Sequence, residues 1–215
     1  MRLLAERFEE LSGHSVVLLP GSTGKHYAQI MQGAPFDALF AADAESPDLL
    51  EANGRIIPGS RFSYAIGRLV LWSPDPGLVN GDGILLESGA FRRLAIANPR
   101  LAPYGMAAQQ VLEARDLWQP LQPKLVRGEN IAQAFQFVAS GNAELGFVAL
   151  SQLIQTGNHG KGSSWQVPEQ LHTPIEQQAV LLSDSIAALE LMTFMKSDAA
   201  HAIIRGFGYG IPDVQ

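Results

Sequence analysis

The chain has 215 residues, no cysteine, 17% charged side chains and a formal charge of −6. Without a thiol it can form no disulfide, no cysteine-based zinc site and no cysteine nucleophile. A net negative chain also lacks the basic footprint of a nucleic-acid binder, so any anion it takes must be held by local donors rather than by the overall field.

The length admits one large domain or two lobes of about 100 residues, and ordinary apolar content supplies a proper core. The opening MRLLAERFEELSG carries acids where an export leader would have its apolar centre, so the chain as given shows no export signal. No apolar run approaches the roughly 18 residues that span a bilayer. Leu3, Leu4, Phe8 and Leu11 repeat with helical spacing, and Gly13 stands where a C-cap glycine belongs. Residues 15–19, Ser-Val-Val-Leu-Leu, read as a buried strand. The loop Gly21-Ser22-Thr23-Gly24 follows, then a helix ending near Gly33 and a strand from Phe36 to Ala42. Ser46-Pro47 reads as a helix start, with serine as N-cap.

Phe62 to Trp72 reads as one long strand and Leu94 to Ala97 as another. A helix is expected over 105–118, a short strand at Leu125-Val126, and a helix after Asn130 that ends at Gly141. Leu145 to Leu150 reads as a strand, 156–174 as loop, and Gln178 to Leu182 as a last strand before helices running to about Arg205. Alternating elements of this kind imply an α/β fold with a mostly parallel sheet.

Three junctions share one physical character: Gly21–Gly24, Ala102-Pro103-Tyr104-Gly105, and Gly128-Glu129-Asn130-Ile131. Each follows a strand and opens a helix, so each offers unpaired N–H groups and the positive end of a helix dipole. Such ends bind phosphate- or sulfate-like anions without lysine or arginine. Each alone is also simply a capped helix, and spacing does not place the three around one cavity. GSTGK is not a P-loop, which would need glycine at 19 and Ser or Thr at 26, where the chain has Leu19 and His26. The five histidines lack ligand spacing, no G-x-S-x-G elbow occurs, and Asp43 and Glu45 read as flanking a helix N-terminus. Trp72, Trp118 and Trp165 read as packing or rim residues. No catalytic constellation assembles, so an enzyme is not expected.

The segments GSTGKHYAQIMQGAPFDALFAADAESPDLL, GSRFSYAIGRLVLWSPDPGLV, NPRLAPYGMAAQQVL and ASGNAELGFVALSQLI, in this order over nearly the whole chain, resemble the periplasmic molybdate-binding proteins of ABC importers. The resemblance implies a two-lobed type II periplasmic-binding fold, with mixed sheets flanked by helices and a ligand cleft between the lobes. One lobe would be 1–64 plus 178–215 and the other 65–177. Molybdate or tungstate would be held as the oxyanion by hydroxyl and backbone N–H donors, with no cofactor and no free metal ion. Carried over, the donors fall on the hydroxyl loop at Ser22 and Thr23, on Tyr104 through its N–H, and on Ile131 through its N–H. The implied partner is a membrane permease with its ATPase. A periplasmic location, a monomer, and no nucleic-acid contact or membrane insertion go with it.

These dianions are fully deprotonated near neutral pH, so a donor-only site suits them, whereas hydrogen phosphate would call for an acceptor. The family also has a strand and a small-residue loop with a further ligand ahead of the first helix, where this chain begins. A late start of the reading frame or a truncated relative with a weakened site would each account for that. Some members place a tyrosine where this chain has Pro174-Ile175-Glu176-Gln177, and Glu176 is expected to face away from a dianion or to serve the hinge. The alternatives are a binder of another tetrahedral oxyanion such as sulfate, and a ligand-sensing module of the same fold.

Overall fold

The computed structural model describes residues 1–212. In chain order the elements are α1 (Arg2–Ser12), α2 (Thr23–Met31), β1 (Ala38–Phe40), α3 (Glu45–Ala52), β2 (Phe62–Gly67), β3 (Leu69–Ser73), α4 (Leu85–Ser88), β4 (Leu94–Ala97) and α5 (Pro103–Ala114). There follow α6 (Trp118–Leu121), β5 (Leu125–Gly128), α7 (Ile131–Ala139), β6 (Leu145–Ala149), α8 (Leu150–Gln155), β7 (Ser163–Gln166), β8 (Ile175–Leu181), α9 (Ile186–Met195) and α10 (Asp198–Gly206). They form two compact units, Met1–Ile66 with Glu176–Gln215, and Gly67–Ile175.

In the first unit the sheet order is β1-β8-β2, with β1 antiparallel to β8. Its main core joins Leu4 and Phe8 of α1, Tyr64 of β2, Leu181 of β8, and Leu191 and Met195 of α9. A second cluster seats α2 and α3 through Ile30, Leu39, Leu50 and Val180. Helix α1 ends at Gly13, whose φ of 74° is the left-handed cap its position suggested. Its buried stripe is Leu4, Ala5 and Phe8, whereas Leu3 and Leu11 are exposed.

Residues 15–19 do not form the expected strand. A strand exists only where a neighbouring edge takes its backbone groups, and here none does. The Val16 N–H goes instead to a Glu9 carboxylate oxygen at 2.6 Å, and Val17 is 83% exposed. The start of α3 also differs from the reading. Asp43 Oδ1 accepts the Ser46 N–H at 2.8 Å, so the carboxylate does the work assigned to the serine. A carboxylate suits the positive end of the helix.

The second unit has the sheet order β5-β4-β6-β3-β7. Parallel pairing is confined to one side, against the mostly parallel sheet expected: β4 runs parallel to β5 and β6, while β3 is antiparallel to β6 and β7. The long strand expected at 62–72 is broken at Arg68, and its halves β2 and β3 belong to different sheets. The stretch expected as loop contains β7, registered on β3 with Trp165 opposite Leu71. Leu71, Leu94, Ile96, Val111, Leu112, Leu145 and Phe147 form the core, with α5 on one face of the sheet. Phe135 and Val138 of α7 pack with Val70, Trp72 and Ala95 on the other face. Trp72 and Trp165 are buried packing residues.

Candidate functional site

Helix α2 begins at Thr23, and its N-cap Ser22 has extended backbone but makes no side-chain cap bond. The Ser22 carbonyl accepts from the N–H groups of Lys25 and His26, both at 3.1 Å. That closes the first turn and leaves the Thr23 and Gly24 N–H groups without an acceptor among the described residues. Thr23 itself is 7% exposed, and its Oγ1 accepts the Ala42 N–H at 3.2 Å. With one lone pair so used, the hydroxyl keeps its proton to give elsewhere. Burial of the threonine follows from the seating of α2 by Ile30 on the Leu39–Leu50 cluster. The adjacent Lys25 is exposed.

In the second unit two helix N-termini meet the carboxyl end of β4. The parallel ladder of β4 and β5 is extended by the Asn98 N–H, which donates to the Gly128 carbonyl at 2.7 Å. Helix α5 starts there with Pro103 at its first position, where a missing N–H costs nothing, and Tyr104 at its second. Gly105 lets it start so close: a Cβ at that position would lie 2.8 Å from the Asn98 carbonyl carbon and closer still to Ala97 O. Helix α7 starts at Ile131, whose side chain packs on Ala97, Ala102 and Ala134. Its cap Asn130 accepts the Gln133 N–H at 2.9 Å, which answers the third helical position and leaves the Ile131 and Ala132 N–H groups without an acceptor among the described residues.

The structure thus places Ser22 and Thr23 together at the opening of one helix in the first unit. In the second unit it places Tyr104 and Ile131 at the openings of two helices that share one strand end. Open α/β sheets bind ligands at such carboxyl edges. The chemistry offered is donation by neutral groups: two hydroxyls and several first-turn N–H groups. Among the described residues no cluster of three or more His, Asp or Glu side chains is placed to hold a cation. Asp43, the nearest acid in sequence to the Ala42 N–H, is turned to the first turn of α3.

Glu176 is half-buried and accepts from the Ser63 hydroxyl on β2, which in turn accepts from Gln178 Nε2 at 3.1 Å. On the next residue pair, buried Tyr64 donates to Gln177 Oε1 at 3.0 Å, and burial first, then Tyr209 and Asp43, push its hydroxyl well above the usual range. Sequence reasoning missed the Ala42 N–H that orients Thr23. Its only signal was a stretch of small residues after a strand, which carries no chemistry of its own.

The family model for bacterial extracellular solute-binding proteins matches residues 1–210. The chain belongs to that family. Within it, the solute-binding protein is 49% identical to the molybdate-binding protein ModA of Azotobacter vinelandii, over 98% of this chain and 85% of the relative. It is 46% identical to ModA of Rhodobacter capsulatus, over 94% of this chain and 80% of that protein. Among solved structures it superposes on the periplasmic molybdate-binding protein of A. vinelandii with a TM-score of 0.94 and 45% identity, covering 99% of this chain and 94% of that one. The sulfate-binding protein SubI of Mycobacterium tuberculosis has a TM-score of 0.75 at 14% identity, a likeness of fold alone. Among the described residues no helix is long and apolar enough to cross a membrane.

Proposed function

We propose that this solute-binding protein captures molybdate or tungstate in the periplasm and delivers it to the permease and ATPase of an ABC importer. The observation that carries the reading is the buried Thr23 hydroxyl, which accepts from Ala42 and so keeps its proton to donate. Each unit also offers N–H groups of helix first turns, the kind of donor that holds a tetrahedral oxyanion without counter-charges. Ser22, Thr23, Tyr104 and Ile131 are the assigned donors, the last two through their backbone N–H groups. Neutral donors spread the two negative charges over helix ends and avoid the cost of burying ammonium or guanidinium groups. A fully deprotonated dianion matches such a set, while hydrogen phosphate would leave its proton without an acceptor. The identities to molybdate-binding relatives support the same ligand. The protein works as a monomer, performs no reaction on its ligand and needs no cofactor.

Calorimetric titration with molybdate, tungstate, sulfate and phosphate tests this. Micromolar or tighter binding of the first two, with sulfate and phosphate far weaker, is the expected result. Preference for sulfate would move the protein to the alternative oxyanion, and no binding of any of the four would refute the reading.

A further inference from the structure

The first turn of α7 is held by amide side chains. Gln133 Oε1 accepts the Glu129 N–H at 2.6 Å, and Asn130 Oδ1 accepts the Gln133 N–H at 2.9 Å. The third amide comes from another element. Gln152 of α8 donates through Nε2 to the Ile131 carbonyl at 3.1 Å, and its Oε1 accepts the Ala149 N–H, also at 3.1 Å, where β6 ends. One side chain therefore ties the last residue of a central strand to the first peptide of a neighbouring helix.

That tie is not needed to close the helix, because a carbonyl at the first helical position already accepts from the residue four further on. It has a geometric consequence instead. Pinning the Ile131 carbonyl fixes the plane of the Ile131–Ala132 peptide, and in a trans peptide the Ala132 N–H then points the opposite way. Two torsions, ψ and φ of Ile131, separate this plane from the N–H of Ile131 itself, and both are held at helical values in the first turn of α7. Gln152 thereby aims the Ala132 N–H directly, and the Ile131 N–H through the helical torsions of Ile131; these are the two groups that the Asn130 cap leaves unanswered among the described residues. An amide does this without adding charge beside an anion, which a lysine at 152 would not.

We propose that Gln152 is a positioning residue for the oxyanion, setting the Ile131 and Ala132 N–H groups as a pair of donors and adding Ala132 to the set. The inference rests on the reading that the α7 N-terminus holds the anion. The Oε1 end makes the capping-box bond at the start of α8, so the inference accounts for the other end, the Nε2 bond to Ile131, and it places the control of donor direction in α8, some twenty residues downstream.

The test is Gln152→Met, which keeps length and shape but removes donor and acceptor. Molybdate affinity, measured by calorimetry, should fall roughly tenfold, the loss expected when charge-assisted hydrogen bonds are misaligned rather than deleted. In amide nitrogen–proton spectra of the free protein, the Ile131 and Ala132 resonances should shift. Val79→Ala, which thins the second unit's core away from α7 and α8, should lower the urea midpoint and leave affinity unchanged. A structural role alone would make the two variants behave alike. Wild-type binding with Gln152→Met equally tight would overturn this inference and leave the oxyanion reading standing. Absence of molybdate binding by the wild type would overturn both. Should Gln152→Met not fold, Gln152→Glu keeps the acceptor for Ala149 but not the donor for Ile131, and undiminished affinity in it would equally overturn the proposal.

Discussion

Replacing Thr23 with valine removes one hydroxyl and keeps shape, β-branching and nearly all the volume, so the change isolates the hydrogen bonds. Two are at stake. Within the protein, the Ala42 N–H loses its acceptor at 3.2 Å in a position where Thr23 is 7% exposed. An amide stranded in that way costs about 1 kcal/mol of stability, and more if no water reaches it. Toward the ligand, the lost bond is one from a neutral hydroxyl to a dianion, worth about 1.5–3 kcal/mol. That corresponds to a rise in Kd of roughly 10- to 150-fold. Thr23→Ser restores the hydroxyl and should recover most of the affinity. Calorimetry with molybdate gives the affinities, and urea unfolding in the absence of ligand gives the stability term separately. If Thr23→Val binds molybdate as tightly as the wild type, the hydroxyl does not face the anion and the assignment of the α2 opening falls.

Gly105→Ala should be worse for the protein than an ordinary glycine-to-alanine change in a helix, because the new methyl meets backbone atoms of Ala97 and Asn98 rather than a movable side chain. A loss of about 1–3 kcal/mol in urea unfolding, with weakened molybdate binding, is expected, and a stabilised variant would show that α5 is not seated as described. Tyr64→Phe removes the buried hydroxyl that donates to Gln177 Oε1 and should cost about 1–2 kcal/mol, again read from urea unfolding. The Glu144 carboxyl is held below its usual 4.5, first by the hydrogen bond from Arg92 and then by the Arg93 and Arg92 backbone N–H groups. A depressed carboxylate contributes stability that is fully present above its unfolded value and is lost as pH falls through the folded one, so Glu144→Gln should be destabilising near neutrality and progressively less so below about pH 4.5. A stability difference that stays constant down to about pH 3 would contradict this linkage. Amide hydrogen exchange at Val17, Leu18 and Leu19 should be fast, since among the described residues no backbone bond protects them, and slow exchange there would mean that the run is paired in solution.

What could be read from the sequence is what local chemistry decides. Asn130 caps α7, Gly13 ends α1 in the left-handed region, and Leu94–Ala97 is a strand, because each depends on a few adjacent residues. The α/β class and the openings at Thr23, Tyr104 and Ile131 follow from the same level. The errors lie where a distant partner decides. Ser15–Leu19 has the composition of a strand, but a ladder needs a second edge, and the run instead lies largely exposed, with the Val16 N–H on Glu9. Ser163–Gln166 looked like loop because four residues between Gly162 and Val167-Pro168 carry almost no period, yet β3 supplies the edge that makes it a strand. Asp43 displaced Ser46 as the anchor of α3 because either residue fits a cap and only the path of the chain chooses. The Thr23–Ala42 and Gln152–Ile131 bonds span 19 and 21 residues, and no pattern of spacing announces them.

These long-range bonds give the candidate site its selectivity argument. A hydroxyl can donate or accept, so Ser22 and Thr23 by sequence alone would tolerate a protonated anion as readily as a bare one. The Ala42 N–H occupies acceptor capacity on Thr23 and biases that group toward donation. The amides around α7 act in the same direction: the carbonyl ends of Asn130, Gln133 and Gln152 are consumed by Gln133, Glu129 and Ala149 N–H groups respectively. Acids in the first unit are also committed, Asp43 to the α3 opening and Glu176 to the Ser63 hydroxyl. Each of these named acceptors already takes a hydrogen bond inside the protein, which weights the proposed donor set toward giving hydrogen rather than taking it. If the proposed donors hold the anion, one that brings its own proton must compete for acceptors already bonded within the protein, at a cost of up to about 1–3 kcal/mol that a bare tetrahedral dianion does not meet.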